Sequence, residues 1–437
     1  VRVVLVSTYE MGRQPFGLAS PAAWLKRAGH EVACVDVSRT PLGAEKLRQA
    51  ELVGVFLPMH TATRLALGLL PRLRRMAPGA RICAYGLYAE INRAQLLAAG
   101  CEAVLGAEYE ADLVAVAGGA RAGGEGALPR LEFVVPDRSG LPPLSEYAGL
   151  RMADGSRRVT GYTEATRGCK HRCRHCPITP VYNGQFRAVG AETVLADIRQ
   201  QVEAGAEHIT FGDPDFFNGP THARRIVAAL HQEFPRLSYD VTIKIEHLLR
   251  QAELLPELKA TGCALVTTAV ESFDDAVLEK LDKGHTAADF RRALGLTQAA
   301  GLALNPTFVA FTPWTTRASF AAMLEAIGEL GLEEQVGAVQ YGIRLLVPRG
   351  SRLLEAEDRG AWLGDWDDAG LSYRWRALEP EADRLAEQVQ AAVAAESKAG
   401  QGRREIFHQV ATIAGVRLPP PAMPRATVPY LDEPWFC

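Results

Sequence analysis

Three cysteines, Cys169, Cys173 and Cys176, stand within the stretch TRGCKHRCRHCPITPVYNGQFR, separated by three residues and then two. Thiolates this close can converge on one soft metal centre. A structural zinc ion is one reading, because His171 and His175 lie inside the run and either could complete the ligand set. A zinc knuckle, however, usually brings two separated cysteine pairs. An iron–sulfur cubane is the other reading: three cysteines leave one iron open, where a substrate or cofactor can bind.

Further polar clusters sit at the ends of apolar runs. FGDPDFFNGP carries Asp213 and Asp215, which either offer carboxylates to a cationic group or brace an Asx turn before Pro214. DVTIKIEH carries Lys244, Glu246 and His247; read as a strand end, it puts Lys244 and Glu246 on one face, to pair with substrate or with each other. Glu271 closes ALVTTAVES, and Arg344 interrupts the apolar YGIRLLVP, where a guanidinium needs a carboxylate or an anionic ligand.

The elements that must position these groups alternate between strand-like and helix-like patterns. VRVVLV, ELVGVFLP, RICAYG and EAVLG read as buried parallel strands, with helices such as SPAAWLKRAGH and ALGLLPRLRRM between them. That alternation predicts a doubly wound, Rossmann-like α/β domain over residues 1–117, followed by a linker over 118–156 that opens on GGARAGGEGALP. A second alternating region, 157–350, has candidate strands at 161–167, 207–211, 239–245, 264–270, 303–311 and 338–346. Six βα units predict a partial barrel, its polar residues gathered at the carboxyl ends of the strands. Residues 351–437 read as a helical extension and a proline-rich tail.

Composition narrows the function classes. The chain has 437 residues, 48% hydrophobic content and a net charge of −3, so it can bury more than one core and has no overall polyanion-binding charge. No apolar run predicts a membrane span, and eight unevenly spaced cysteines fit a reducing, cytoplasmic setting better than a disulfide framework. Arg167, Lys170, Arg172, Arg174 and Arg187 surround the cysteines. One exposed stripe of Arg172, Arg174 and Arg187 would favour RNA, but without a recognisable RNA-binding module a small-molecule substrate is the preferred reading.

The Cys169, Cys173, Cys176 spacing after a first barrel strand resembles the radical SAM superfamily. The resemblance implies that these cysteines hold a [4Fe-4S] cluster whose open iron chelates S-adenosylmethionine, with a reductant such as flavodoxin or ferredoxin supplying the electron. His175 stands where the family usually has an aromatic residue. Asp213, with Asp215 beside it, stands where a Gly-Gly-Glu stretch commonly meets the methionine ammonium, and Glu271 where the ribose or methionine is contacted. Residues 1–117 resemble the cobalamin-binding domain of a large subgroup, but the Asp-x-His-x-x-Gly ligand motif is absent. The expectation is weak cobalamin binding, without a histidine ligand at His60.

A closer resemblance rests on FGDPDFFNGP, TIKIEHLL, AVES, LDKGHT, FTPWTT, IRLLVP and the terminal LDEPWFC. These runs are similar to radical SAM proteins with a Cys-Sec-Ala-Glu-Pro or Cys-Cys-Ala-Glu-Pro tail, related to the arsinothricin-biosynthesis enzyme. That resemblance implies a catalytic Cys437, a chain that continues through a recoded stop codon as selenocysteine, and a tail returning to the barrel mouth. Lys244 and Glu246 are then the substrate-facing candidates. Three reactions follow from it: hydrogen abstraction, cobalamin-dependent methyl transfer, and 3-amino-3-carboxypropyl transfer to arsenic.

Overall fold

The computed structural model describes residues 1–120, 128–418 and 428–432. Its first unit is a parallel sheet in the order β2-β1-β3-β4-β5, formed by Arg2–Ser7 (β1), Glu31–Asp36 (β2), Leu52–Phe56 (β3), Arg81–Tyr85 (β4) and Ala103–Leu105 (β5). β3 is buried at every position, because helices cover both faces of the sheet. Val4, Val6, Val53 and Val55 pack on one face, and Val3, Leu5, Leu52 and Phe56 on the other.

β2 corrects the sequence reading, which had no strand there. EVACVD lies at the sheet edge with its first four residues partly exposed and acidic residues at both ends, so it lacks the continuous apolar signature of its neighbours.

The second unit is a seven-stranded sheet in the order β13-β12-β11-β10-β7-β6-β16. Its parallel strands are Arg157–Thr163 (β7), His208–Phe211 (β10), Ser238–Thr242 (β11), Cys263–Glu271 (β12) and Ala303–Phe308 (β13). Gly149–Arg151 (β6) joins antiparallel to β7, and Tyr430–Leu431 (β16) antiparallel to β6. Helices Ala191–Glu203, Pro220–Glu233, Ala287–Ala299 and Arg317–Leu330 cover the outer face, burying Ile198, Ile226, Phe290 and Leu324. The result is a partial barrel behind an α/β domain.

The sixth expected strand, 338–346, is a second correction. Ala338–Gly342 forms a 3₁₀ turn, and only Arg344 bridges to Phe311. The Gln340 side chain, instead of a strand backbone, accepts the Phe308 amide at 2.8 Å. Residues 345–347 bond to the hairpin Leu363–Asp367 (β14) and Ser372–Trp375 (β15): Trp375 Nε1 donates to Leu345 at 2.7 Å, and the Tyr373 amide to Val347 at 2.9 Å.

The connector is strapped to both units. Arg138 donates to both Asp197 oxygens, to Gln14 and to the Tyr162 carbonyl, at 2.6–2.9 Å. Among the described residues no helix is long and apolar enough to cross a membrane.

Candidate active site

The cysteine loop leaves the sheet through a short ribbon. Thr166–Gly168 (β8) pairs antiparallel with Phe186–Ala188 (β9), Arg167 opposite Arg187, and the loop between them carries all three cysteines. Gly168 makes the exit: its φ is +75°, and a Cβ there would lie 2.4 Å from the Tyr182 ring and 2.5 Å from the Gln185 carbonyl. Cys173 is buried, and Cys169 and Cys176 are partly exposed. The backbone N–H groups of His171 and Ile178 donate to the sulfurs of Cys169 and Cys176. Burial pushes Cys169 up to about 11, with Asp215 and Cys173 raising it further, and Cys176 up to about 12, with Cys173 and Cys169 raising it further. Holding Cys169 and Cys176 as thiolates therefore requires added positive charge.

Arg167 fixes this loop to the first domain. Its guanidinium donates to Glu164 at 2.7 Å and to both oxygens of Glu110 at 2.6 and 3.0 Å, with Glu108 at 3.6 Å. The side chains of Arg167, Glu108 and Glu110 are 7%, 0% and 0% exposed, so charge neutralisation decides whether this arrangement holds. Tyr182, at the other end of the loop, donates to Glu108 at 2.8 Å. Arg187 bonds the Leu128 carbonyl at 2.8 Å. Of Arg172, Arg174 and Arg187, only Arg172 is exposed; Arg174 and Arg187 are half-buried, and Arg187 is committed to Leu128, so the three do not form one exposed stripe.

The two aspartates after β10 do different things. Asp213 is buried, and both oxygens are used: Oδ1 accepts the Ala165 amide at 2.8 Å, and Oδ2 the Thr166 hydroxyl at 2.6 Å. Burial pushes its carboxyl up to about 7 against these bonds. Gly212 beside it leaves space for Tyr162, whose hydroxyl would lie 1.8 Å from a Cβ. Asp215 instead caps the following turn through Oδ1, which accepts the Phe217 amide at 3.1 Å. Its Oδ2 faces His247 Nδ1 at 2.6 Å and His171 Nε2 at 3.6 Å.

Lys244 and Glu246 do not lie on a strand face. β11 ends at Thr242, Lys244 precedes the helix Ile245–Arg250, and Glu246 occupies its first turn. They are 3.2 Å apart, and Lys244 Nζ also donates to His171 Nδ1 at 3.0 Å. The earlier strand end turns the chain into a helix, so the period-two reading fails there.

Glu271 ends β12 at a register shift, with φ +65°. The bulge re-aims its side chain, and Oε1 lies 3.1 Å from both Lys283 Nζ and His175 Nε2. Burial opposes its ionisation, but Lys283 and His175 outweigh that and hold the carboxyl far below its usual range. Burial likewise opposes the Lys283 charge, while Glu271 and the Cys173 sulfur raise its pKa. Sequence reading passed over Lys283. The signal available was LDKGHT, whose lysine and histidine both enter this region; His285 Nε2 lies 3.2 Å from the Val270 carbonyl.

Other candidates lie apart from this group. Arg344 pairs with Asp383 at 2.9 Å and stacks 4.0 Å above the Trp375 ring. His60 Nε2 contacts the Gly370 carbonyl at 2.6 Å, so that nitrogen carries the proton and donates. Cys437 lies outside the described residues.

The comparisons agree with this architecture. Residues 163–325 match the Radical SAM superfamily. Hopanoid C-3 methylase of Methylococcus capsulatus is 30% identical over 149 residues, 33% of this chain and 28% of that protein. The ribosomal protein uS12 methylthiotransferase RimO of Geobacter sulfurreducens is 24% identical over 229 residues, 47% of this chain and 50% of that protein. The chain thus spans half or less of these curated relatives. Among solved structures, the cobalamin-dependent S-adenosylmethionine radical enzyme OxsB with aqua-cobalamin superposes with TM-score 0.71 at 13% identity, covering 90% of this chain and 67% of that one. The radical S-adenosylmethionine methyltransferase TsrM from Kitasatospora setae gives TM-score 0.65 at 18% identity, covering 90% and 89%. The cysteine loop at the carboxyl ends of the partial barrel thus lies inside the stretch that is similar to the Radical SAM superfamily, and the two-unit fold is shared with both solved structures.

Proposed function

We propose that the protein holds a [4Fe-4S] cluster on Cys169, Cys173 and Cys176, cleaves S-adenosylmethionine with it, and modifies a small molecule. The observation that carries this reading is the loop itself: three cysteines on a glycine turn, two of their sulfurs facing backbone N–H groups. When bound, the cluster supplies the electron that breaks a carbon–sulfur bond of the sulfonium. Lys283, charged and facing Cys173 and Cys176, is assigned to the methionine carboxylate, and Glu271 to its ammonium. His175 orients Glu271. Asp213 supports the loop by holding Ala165 and Thr166. Lys244 and Glu246 contribute a charged pair on the substrate side. A flavodoxin or ferredoxin is the fitting class of reductant.

The test is product analysis with anaerobically reconstituted, reduced protein and S-adenosylmethionine. 5'-Deoxyadenosine is expected. 5'-Methylthioadenosine would instead assign aminocarboxypropyl transfer, the route suggested by the likeness to the arsinothricin enzyme. Neither product, at full iron and sulfide occupancy with reductant and candidate substrates present, would overturn the reading.

A second reading, cobalamin-dependent methyl transfer, is favoured by one observation. Tyr88, beyond the end of β4, feels the Cys176 sulfur, so the first domain's carboxyl edge adjoins the cysteine loop where a corrinoid would have to meet it. His60 fits an axial ligand poorly, because its Nε2 is committed to Gly370. Binding of hydroxocobalamin should therefore survive His60→Ala, with no nitrogen coupling lost from the cob(II)alamin spectrum. Loss of such coupling in the variant would overturn this assignment.

A further inference from the structure

We propose that His171, Asp215 and His247 form a mononuclear site for a divalent transition-metal ion, Zn²⁺ or Fe²⁺, separate from the cysteines. Their ligand atoms all lie within 4.8 Å of one another. His171 Nε2, Asp215 Oδ2 and His247 Nδ1 are buried and none makes an aligned hydrogen bond; the one close approach, 2.6 Å between Asp215 Oδ2 and His247 Nδ1, is an ion-pair contact out of hydrogen-bond alignment. Asp215 and His247 are 1% and 4% exposed, so water does not satisfy these atoms at the surface. Buried polar atoms left this way are costly, and three facing one point call for a ligand.

The geometry is that of a cation's coordination shell. The 2.6 Å and 3.6 Å separations from Asp215 Oδ2 to the two rings straddle the spacing of about 2.9–3.4 Å between neighbouring ligands with metal bonds near 2.0–2.1 Å. Two imidazoles and one carboxylate suit Zn²⁺ or Fe²⁺, and leave at least one position open. Asp215 is already oriented, because its other oxygen is fixed by the Phe217 amide.

The surrounding groups supply the support a histidine ligand needs. Lys244 now donates to His171 Nδ1, which puts the ring proton on Nε2. Loading the ion moves that proton to Nδ1, and Lys244 gives up its bond to that nitrogen. There Glu246 Oε2 lies 3.6 Å away as the acceptor, and Lys244 retains its own 3.2 Å contact to the same oxygen. Glu246 is thus a positioning residue for the metal, acting through His171.

The site does not depend on the cluster proposal, and the two are counted separately. Tag-free, cluster-reconstituted protein would be dialysed against Zn²⁺, followed by zinc, iron and sulfide analysis and zinc X-ray absorption. One zinc per chain beyond the cluster iron is expected, with nitrogen and oxygen neighbours near 2.0 Å and no sulfur near 2.3 Å. Asp215→Asn and His247→Gln should each lose that zinc at unchanged iron and sulfide, and Glu246→Gln should weaken its binding about ten- to hundredfold. Absence of stoichiometric zinc in the wild-type chain, sulfur in its coordination shell, or full retention by both Asp215→Asn and His247→Gln would overturn the proposal. If a variant fails to fold, the wild-type stoichiometry and absorption spectrum still decide.

Discussion

Replacing Arg167 with methionine tests whether the domain contact behind the cysteine loop is held by charge. The guanidinium sits among Glu110, Glu164 and Glu108 at 2.6–3.6 Å, with Glu108 and Glu110 fully enclosed. Methionine fills much of the volume but leaves the carboxylates facing one another. Breaking a buried pair from one side costs about 3–5 kcal/mol, roughly two to four orders of magnitude in the folding equilibrium. The loss should vary with pH in a set direction. Burial already raises the Glu108 and Glu164 carboxyls above 4.5 despite Arg167, and its removal raises them further. The native variant then binds protons more readily than the unfolded chain. Its deficit should be largest above the raised pKa and should shrink as pH falls toward 4.5. Urea unfolding by tryptophan fluorescence at several pH values measures both quantities. Arg199→Met, at an exposed pair with Glu233, should leave the midpoint in place. A deficit for Arg167→Met below about 1 kcal/mol, or one that grows on acidification, would refute the electrostatic account.

Serine at Cys169, Cys173 or Cys176 should abolish the iron and sulfide content of reconstituted protein, read by elemental analysis and visible absorption; one zinc on the intact cysteines instead would favour the structural-metal alternative. Asp213→Asn should keep the Ala165 contact while removing a titration. The Asp213 carboxyl rises from 3.8 to about 7, so its contribution is full below 3.8 and lost as pH rises to about 7, and the variant's stability should be flatter across that interval. Glu271→Gln strands the Lys283 ammonium and should lower stability by about 3–5 kcal/mol, measured as a shifted urea midpoint.

What was legible in the sequence follows from range. The cysteine spacing is local, and the apolar runs of β1, β3, β10 and β12 carry their period within a few residues, so the cysteine loop's position after a barrel strand could be read directly. β2 escaped because an edge strand need not be apolar on both faces. Residues 338–346 carried a strand-like pattern, but Gln340 and the β14–β15 hairpin took its hydrogen bonds. Two of the three partners of Arg167, Glu110 and Glu108, are 57 and 59 positions away, and Lys283, in a loop between helices, reaches back to Glu271 past the helix Asp275–Lys280. Those pairings exist only once the backbone has folded. The same is true of Asp215: sequence marks a carboxylate after a strand, but only the fold brings it to His171 and His247.

The pairing of β16 with β6 also orders events during synthesis. Leu150 meets Leu431, and Asp432 binds Arg151 and Arg157 at 3.0 and 2.8 Å, so one edge of the barrel sheet is completed by residues translated some 280 positions later. The first-domain sheet uses residues 2–105 and can assemble while the ribosome is still making the barrel. The exposed backbone of β6, by contrast, waits until residue 432 has cleared the exit tunnel. Its length of three residues limits the hazard of pairing with another nascent chain during that wait.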